Sequence, residues 1–357
     1  MKSLLQQRII IALGLALVAV LIAVTPGRTK PSPVHMTIPH QQTLVVCPQG
    51  SPSCHFTQIQ DAIDAAPEGT IITIKSGTYE ENLIVRKSLT IQAPEGEQVV
   101  VKSAMESLPT LLLVNGRPIH VEVKGLTLQP ARPHQGNGIE VMGMVTGRIE
   151  RNTIQGYQWG ILILGKMGQA GLSNLPLVIN ENTIHSSIWI QESATVTISK
   201  NAIQRNAASE PVGIAIGNSG DIVVSENLIE GGGGVWISQS YADVKRNIIK
   251  KNMAGIYIEG SRVSLSDNEI EQNGLGVAIP LRPNTLVELT GNRITHQEYY
   301  GFVVESRQSL EQIAQCQGNH IRDNKQGDYR VQSPVIFGEP KRDLAAEEKL
   351  RQQCEGG

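Results

Sequence analysis

The feature that most limits what this chain can become is a repeat. Residues 234–254, GVWISQSYADVKRNIIKKNMA, run directly into 255–275, GIYIEGSRVSLSDNEIEQNGL, a segment of the same length. Both open Gly-apolar-aromatic-Ile and carry Asn-x-Ile at the same offset. Asn-x-Ile recurs at Asn152, Asn182, Asn201, Asn227, Asn247, Asn268, Asn292 and Asn319. Gly-apolar-x-apolar opens at Gly138, Gly160, Gly213, Gly234, Gly255, Gly276 and Gly301, and the four from Gly213 to Gly276 are 21 residues apart. Between these markers apolar and polar residues alternate, the period of strands. The units are rich in Ile, Val, Gly and Asn, lack helical periodicity, and are about half as long as a propeller blade. Three short strands per coil, each stacked in parallel on its counterpart in the next, fit that length. The expected fold is all-β: a single-stranded right-handed parallel β-helix with an N-terminal capping helix and a short C-terminal helix.

Such a coil predicts where side chains go. Ile and Val stack inside, and each Asn sits at a tight bend, itself left-handed, with its amide bonded to the next Asn in the stack. The residues before the Asn, namely Arg151, Glu181, Lys200, Glu226, Arg246 and Asp267, alternate in sign. So do Glu230, Lys250 and Glu271, three positions after it. With coils about 4.8 Å apart, these become ladders of opposite charge. That structural role removes most carboxylates from any catalytic shortlist.

The ends follow from composition. Lys2 and Arg8 precede an unbroken apolar run from Ile9 to Val24, so residues 1–25 read as a signal peptide or membrane anchor. Residues 26–46 hold Pro26, Pro31, Pro33 and Pro39 and read as a linker; 47–335 is the β-helix with its cap, and 336–357 a tail with a short helix. The chain beyond the apolar run is then extracytoplasmic, in the periplasm, at the cell surface or secreted, with contact to the membrane only through residues 9–24. Four cysteines suit an oxidising compartment. Their positions favour two local disulfides, Cys47 with Cys54 and Cys316 with Cys354, over zinc ligation, although sequence leaves the connectivity open. In TQIQDAIDAA, Thr57 and Gln60 have capping-box spacing, and Ile59, Ala62, Ile63 and Ala66 share a helical face. DLAAEEKLRQQC reads as the C-terminal helix. A net charge of -2 argues against nucleic acid as a partner. No cofactor is indicated, and the eight His show no metal-ligand spacing.

The stretch 56–93, with its helix, the Gly-Thr-Tyr turn at 77–79 and the SLTI strand, resembles the opening of pectin-lyase-like β-helix proteins. The repeats from about 138 to 322 are similar to carbohydrate-binding and sugar-hydrolase (CASH) repeats, as in NosD-like periplasmic proteins and alginate epimerases. The resemblance covers roughly 56–325 and implies the fold; the superfamily's activities are too varied to imply one. Its Asn-Thr-Asp, Gly-Asp-Asp, Gly-His-Gly, Asp-Pro-His-Asp and pectin-esterase motifs are missing, RPHQGNG at 132–138 being the nearest string, so no catalytic residue carries over. A NosD-like role in metal maturation would lack any Met/His cluster.

A solenoid displays function on an outward sheet face. The outward position of each Gly-apolar-x-apolar strand reads Glu140, Leu162, Trp189, Ala215, Trp236, Tyr257, Ala278, Val303. Two residues on, the same face offers Met142, Leu164, Gln191, Gly217, Ser238, Glu259, Pro280 and Glu305. Aromatic faces beside polar groups stack on sugar rings. The expected ligand strip is therefore Trp189, Gln191, Trp236, Ser238, Tyr257 and Glu259, binding polysaccharide or another envelope component without catalysis. The competing readings are aromatics that only pack or favour strands, a protein interface, and a polysaccharide-active lyase, hydrolase or epimerase. That last one needs a second acid or base to join Glu259, the only acid near the aromatics, from another coil or a loop, with His185 or the insertion 165–178 as sources.

Overall fold

A computed structural model describes residues 42–48, 53–165, 176–193, 195–204, 213–280, 282–305, 308–332 and 342–355. The expected signal or anchor segment lies outside them. No helix among the described residues is long and apolar enough to cross a membrane.

The alternation along the repeats builds parallel strands that pair only with the coil before and the coil after. Each coil contributes one strand to each of three faces. The first face holds the Gly-apolar-x-apolar strands, such as Val235–Ser238 and Ala254–Glu259. The second holds Tyr241–Lys245 and Arg262–Ser266, and the third Ile248–Lys250 and Glu269–Glu271. Register is strict: Trp236 pairs with Tyr257, Val244 with Leu265 and Ile249 with Ile270. This is the parallel β-helix expected from the sequence.

Inside, the Ile of successive Asn-x-Ile triplets form a column from Ile154 to Ile321, all essentially buried. The glycine marker serves that column at six of its seven positions, Gly234 instead facing the Ala254 and Gly255 carbonyls. Gly276 has an ordinary strand conformation, yet a Cβ there would lie 2.5 Å from the Cγ2 of Ile294 and 2.1 Å from the Gly301 carbonyl. The two sequence markers are thus one packing device: the glycine leaves room for the isoleucine.

The asparagines form the expected ladder. Seven successive Nδ2–Oδ1 bonds of 2.9–3.0 Å run from Asn152 to Asn319. The same Oδ1 also accepts the backbone N–H of the preceding Asn, at 3.0 Å for Asn247 to Asn268. The left-handed conformation, however, belongs to the residue before each Asn: Glu226 has φ 58° and Arg246 φ 53°. The reason is geometric. The Asn side chain must point inward to bond, so the residue ahead of it makes the turn and its own side chain projects to solvent. In this column Arg246 bonds Glu226 at 3.0 Å, whereas Arg151 turns to Glu150 of its own coil at 3.3 Å. Ladder partners are not always the next in column: Glu230 takes Lys251, at 2.8 Å, and Glu271 lies 3.7 Å from Arg293.

Both other corners repeat the device. Lys251, Gln272, His296 and Asp323 are left-handed, and each is followed by Asn252, Asn273, Gln297 or Asn324. Asn252 bonds Asn273 at 3.1 Å, and the N–H groups of Asn273 and Gln297 donate to the next amide oxygen at 2.8 and 2.9 Å. At the remaining corner Ser193, Ser219 and Ser240 each donate a backbone N–H to the hydroxyl of the next serine, ending at Ser261.

The caps correct two expectations. The first strand, Thr43–Val46, already pairs with Ile71–Ile74, so the sheet begins inside the stretch read as linker. Its TLVV alternation was masked by the prolines upstream. The cap helix runs Ile59–Ala65 with no side-chain capping bond at its own N-cap. The Thr57–Gln60 capping box does not form, because Glu81 from the coil beneath accepts the N–H groups of Ile59 and Gln60 at 2.8 and 2.9 Å. A carboxylate suits a helix N-terminus. The apolar face Ile59, Ala62, Ile63 and Ala66 is buried as expected.

The C-terminal helix is Leu344–Glu355. Cys47 is bonded to Cys54 and Cys316 to Cys354, the local pairing expected. The second bridge closes a separation of 38 residues, worth about 4 kcal/mol in the chain-entropy account.

Candidate functional site

The first face places every outward residue where alternation put it. Trp189 pairs with Leu162 on one side and Ala215 on the other. Ala215 pairs with Trp236, Trp236 with Tyr257, and Tyr257 with Ala278. The neighbouring column stacks Gln191, Gly217, Ser238 and Glu259. The six residues of the expected strip therefore lie together on one surface.

Trp236 is 42% exposed, and its ring centroid is 4.7 Å from that of Tyr257, about one coil spacing. A second pair flanks it. Trp159 lies 4.8 Å from Trp189, and Leu162, which pairs with Trp189, is only 9% exposed despite facing outward. Trp159 escaped the sequence reading because it sits before the strand's central positions. Its signal was the Trp-Gly step at 159–160, an aromatic adjoining a repeat marker. Beyond Tyr257 the strip ends: Ala278 and Val303 are buried although they face outward.

Glu259 has acquired a partner. Arg282, from the connection after the next coil, bonds its carboxylate at 2.6 Å. That bond to Glu259 raises the guanidinium's pKa. The Tyr257 hydroxyl is also pushed up, first by burial and then by the charges of Glu259 and Glu305. Among the described residues, Glu259 and Glu305 supply negative charge here and Arg282 positive charge. Glu305 lies in the Glu259 column two coils on, about 9.6 Å away at strand spacing.

His185 does not join them. It is in the strand Thr183–Gln191, on the third face, paired with Gln155. Residues 166–175 of the insertion lie outside the described residues. Glu140, five coils from Glu259 and in the neighbouring column, instead accepts a bond from Asn137 at 2.8 Å. Among the described residues no three His, Cys, Asp or Glu side chains gather as a metal site.

One concavity lies elsewhere. A groove of about 330 Å³ on the second face is lined by Tyr241, Asp243, Arg262, Ser264, Leu286 and Glu288. The Arg262 guanidinium covers the Tyr241 ring, 5.8 Å from its centroid. A ring whose face is already taken by a cation is a poorer sugar platform than Trp236.

The family model described as right handed beta helix region matches residues 137–279 and 251–333, together more than half of the chain. A curated relative, a cell surface glycoprotein of Methanothermus fervidus, is 31% identical over 102 residues. That stretch is 28% of this chain and 16% of the relative, so the match spans about a sixth of its length. Among solved structures, XylC in complex with xylose has TM-score 0.41 at 11% identity, covering 80% of this chain and 70% of that one. Pectate lyase Pel9A has TM-score 0.41 at 10% identity, covering 84% and 82%. The A-module of the mannuronan C-5 epimerase AlgE4 from Azotobacter vinelandii has TM-score 0.40 at 14% identity, covering 78% and 94%.

Proposed function

Because the chain belongs to the right-handed β-helix family, we propose that it is an extracytoplasmic solenoid that binds a glycan along its first face without cleaving it. The observation that carries this is the exposed Trp236 in tilted ring contact with Tyr257, with Ser238 and Glu259 beside them in register. Sugar rings present apolar C–H faces and polar edges, and this surface offers aromatic faces with hydrogen-bonding groups alongside. Two disulfides suit an oxidising compartment, and the relative's description as a cell surface glycoprotein points the same way. The apolar run of residues 9–24 would export the chain or tether it to a membrane.

The non-catalytic reading is supported by Glu259, whose carboxylate is already engaged by Arg282 at 2.6 Å. Trp236→Ala combined with Tyr257→Ala abolishes binding on a glycan array under this reading. A blank array for the wild-type 41–357 chain removes its basis.

One observation favours a second reading, a polysaccharide-active enzyme. Glu259 and Glu305 share a column two coils apart, about 9.6 Å between their backbones, a spacing just beyond the separation of about 6.5–9.5 Å between carboxylates of inverting glycosidases. Cleavage or epimerisation lost in Glu259→Gln supports it; turnover retained in that variant excludes Glu259 as the acid.

A further inference from the structure

The strip is not a continuous aromatic surface. It consists of two tilted ring pairs, Trp159 with Trp189 at 48° and Trp236 with Tyr257 at 54°, held on either side of a single coil whose outward residues are Ala215 and Gly217. Trp189 has its partner ring on the side of the preceding coil, and Trp236 on the side of the following one. The sides of both indoles that face the Ala215 coil meet no aromatic ring among the described residues.

Two coil spacings separate Trp189 from Trp236, about 9.6 Å. A saturated six-membered ring in van der Waals contact with an aromatic group on each side needs about 8 Å between them, at about 3.5–4.0 Å per contact. The gap accommodates one ring and not two. Its floor is also particular. Gly217 has an ordinary strand conformation, so backbone strain does not call for glycine there. A Cβ at that position would lie 2.4 Å from Oε1 of Gln191. The missing side chain lets the Gln191 amide lie over the Ala215 coil, where it can donate to and accept from hydroxyl groups.

Resting on the glycan-binding reading above, we propose that the Ala215 coil forms a slot for one pyranose ring, sandwiched between Trp189 and Trp236, with the Gln191 amide reading its hydroxyl edge. Ala215 is then the specificity-determining residue, since its size sets what enters. The ligand is a glycan whose ring offers C–H-rich faces on both sides, which favours equatorially substituted pyranoses over furanoses.

The test uses the 41–357 chain, titrated with short xylan, mannan, cellulose, alginate and galacturonan oligosaccharides, following tryptophan fluorescence and calorimetric heat. Ala215→Tyr fills the slot with a residue that strands accept, and weakens binding at least about tenfold while the circular dichroism spectrum and melting temperature stay unchanged. Ala215→Val gives an intermediate loss and decides the matter if the tyrosine variant does not fold. Ala215→Gly retains binding within about twofold. Wild-type affinity in Ala215→Tyr overturns the slot while leaving the strip standing. No binding by the wild type to any of these sugars overturns the glycan reading and the slot with it.

Discussion

The corners of the coil and the outward side of its first face are made from the same repeat, yet they obey opposite rules. At the corner before the third face, the same residue recurs in coil after coil, buried to within 5% exposure from Asn152 to Asn319. On the outward side, one column reads Leu162, Trp189, Ala215, Trp236, Tyr257, Ala278, with no two successive positions alike. A corner asparagine bonds the coils on both sides, so a change there orphans groups in its neighbours. An outward side chain bonds little of the scaffold and is free to differ. Uniformity marks what holds the solenoid together, and variation marks what it can present to a ligand.

Breaking a corner should have the largest effect. Asn247→Ala removes the acceptor for both the backbone and side-chain N–H of Asn227 and the donor to the Val224 carbonyl. Three buried groups left unmatched at about 1–3 kcal/mol each predict a loss of roughly 5 kcal/mol, read from the denaturant midpoint. The serine corner should be weaker. Ser240→Ala orphans the buried N–H of Ser219 and removes the donor to the half-buried Ser238 carbonyl, and is expected to lose about 2 kcal/mol by the same measurement. A loss as large as that of Asn247→Ala would erase the distinction between the corners.

On the outward side, Trp236→Ala should lower stability by no more than about 1 kcal/mol, the value of an exposed aromatic pair, while abolishing glycan binding. A large drop in melting temperature would instead make Trp236 a scaffold residue. The smallest effect belongs to the charges outside the corners. The Arg246 hydrogen bond holds the Glu226 carboxyl below its ordinary range. A depressed carboxyl contributes above its unfolded value and loses that contribution as pH falls through its folded value. Glu226→Gln should therefore leave stability at neutral pH nearly unchanged and flatten its acid dependence slightly. A shift of the neutral-pH midpoint would show that this solvent-exposed pair matters more than surface pairs ordinarily do.

Much of this division was legible in the sequence. The spacing of Asn-x-Ile and Gly-apolar-x-apolar placed the Asn ladder, the Ile column and the register of Trp236 on Tyr257, because a period fixes which residues become vertical neighbours. The other two corners went unread. Asn252, Asn273, Gln297 and Asn324 differ in type, and Ser193, Ser219, Ser240 and Ser261 are common residues, so neither set shows as a motif. Left-handed φ was assigned to Asn by its intrinsic preference, but tertiary bonding required the preceding residue to turn. Arg282 beside Glu259 was hidden for a different reason: it comes from a connection outside the repeat, where no period reports position.

The way the ladders stop carries a last consequence. The N–H of Asn319, which in any other coil would find the next asparagine, donates to the carbonyl of Cys354 at 3.2 Å. The terminal helix thus impersonates the coil that would come next, riveted in place by Cys316. From Ser219 to Ser261 and from Asn227 to Asn268, successive coils offer the same serine and asparagine sockets above and below, so these coils act as exchangeable modules. Excising one whole unit, residues 235–255, should splice the stack cleanly, and it would set Ala215 directly beneath Tyr257. Evolution can therefore lengthen, shorten or retune the outward surface by trading modules, without renegotiating the interior.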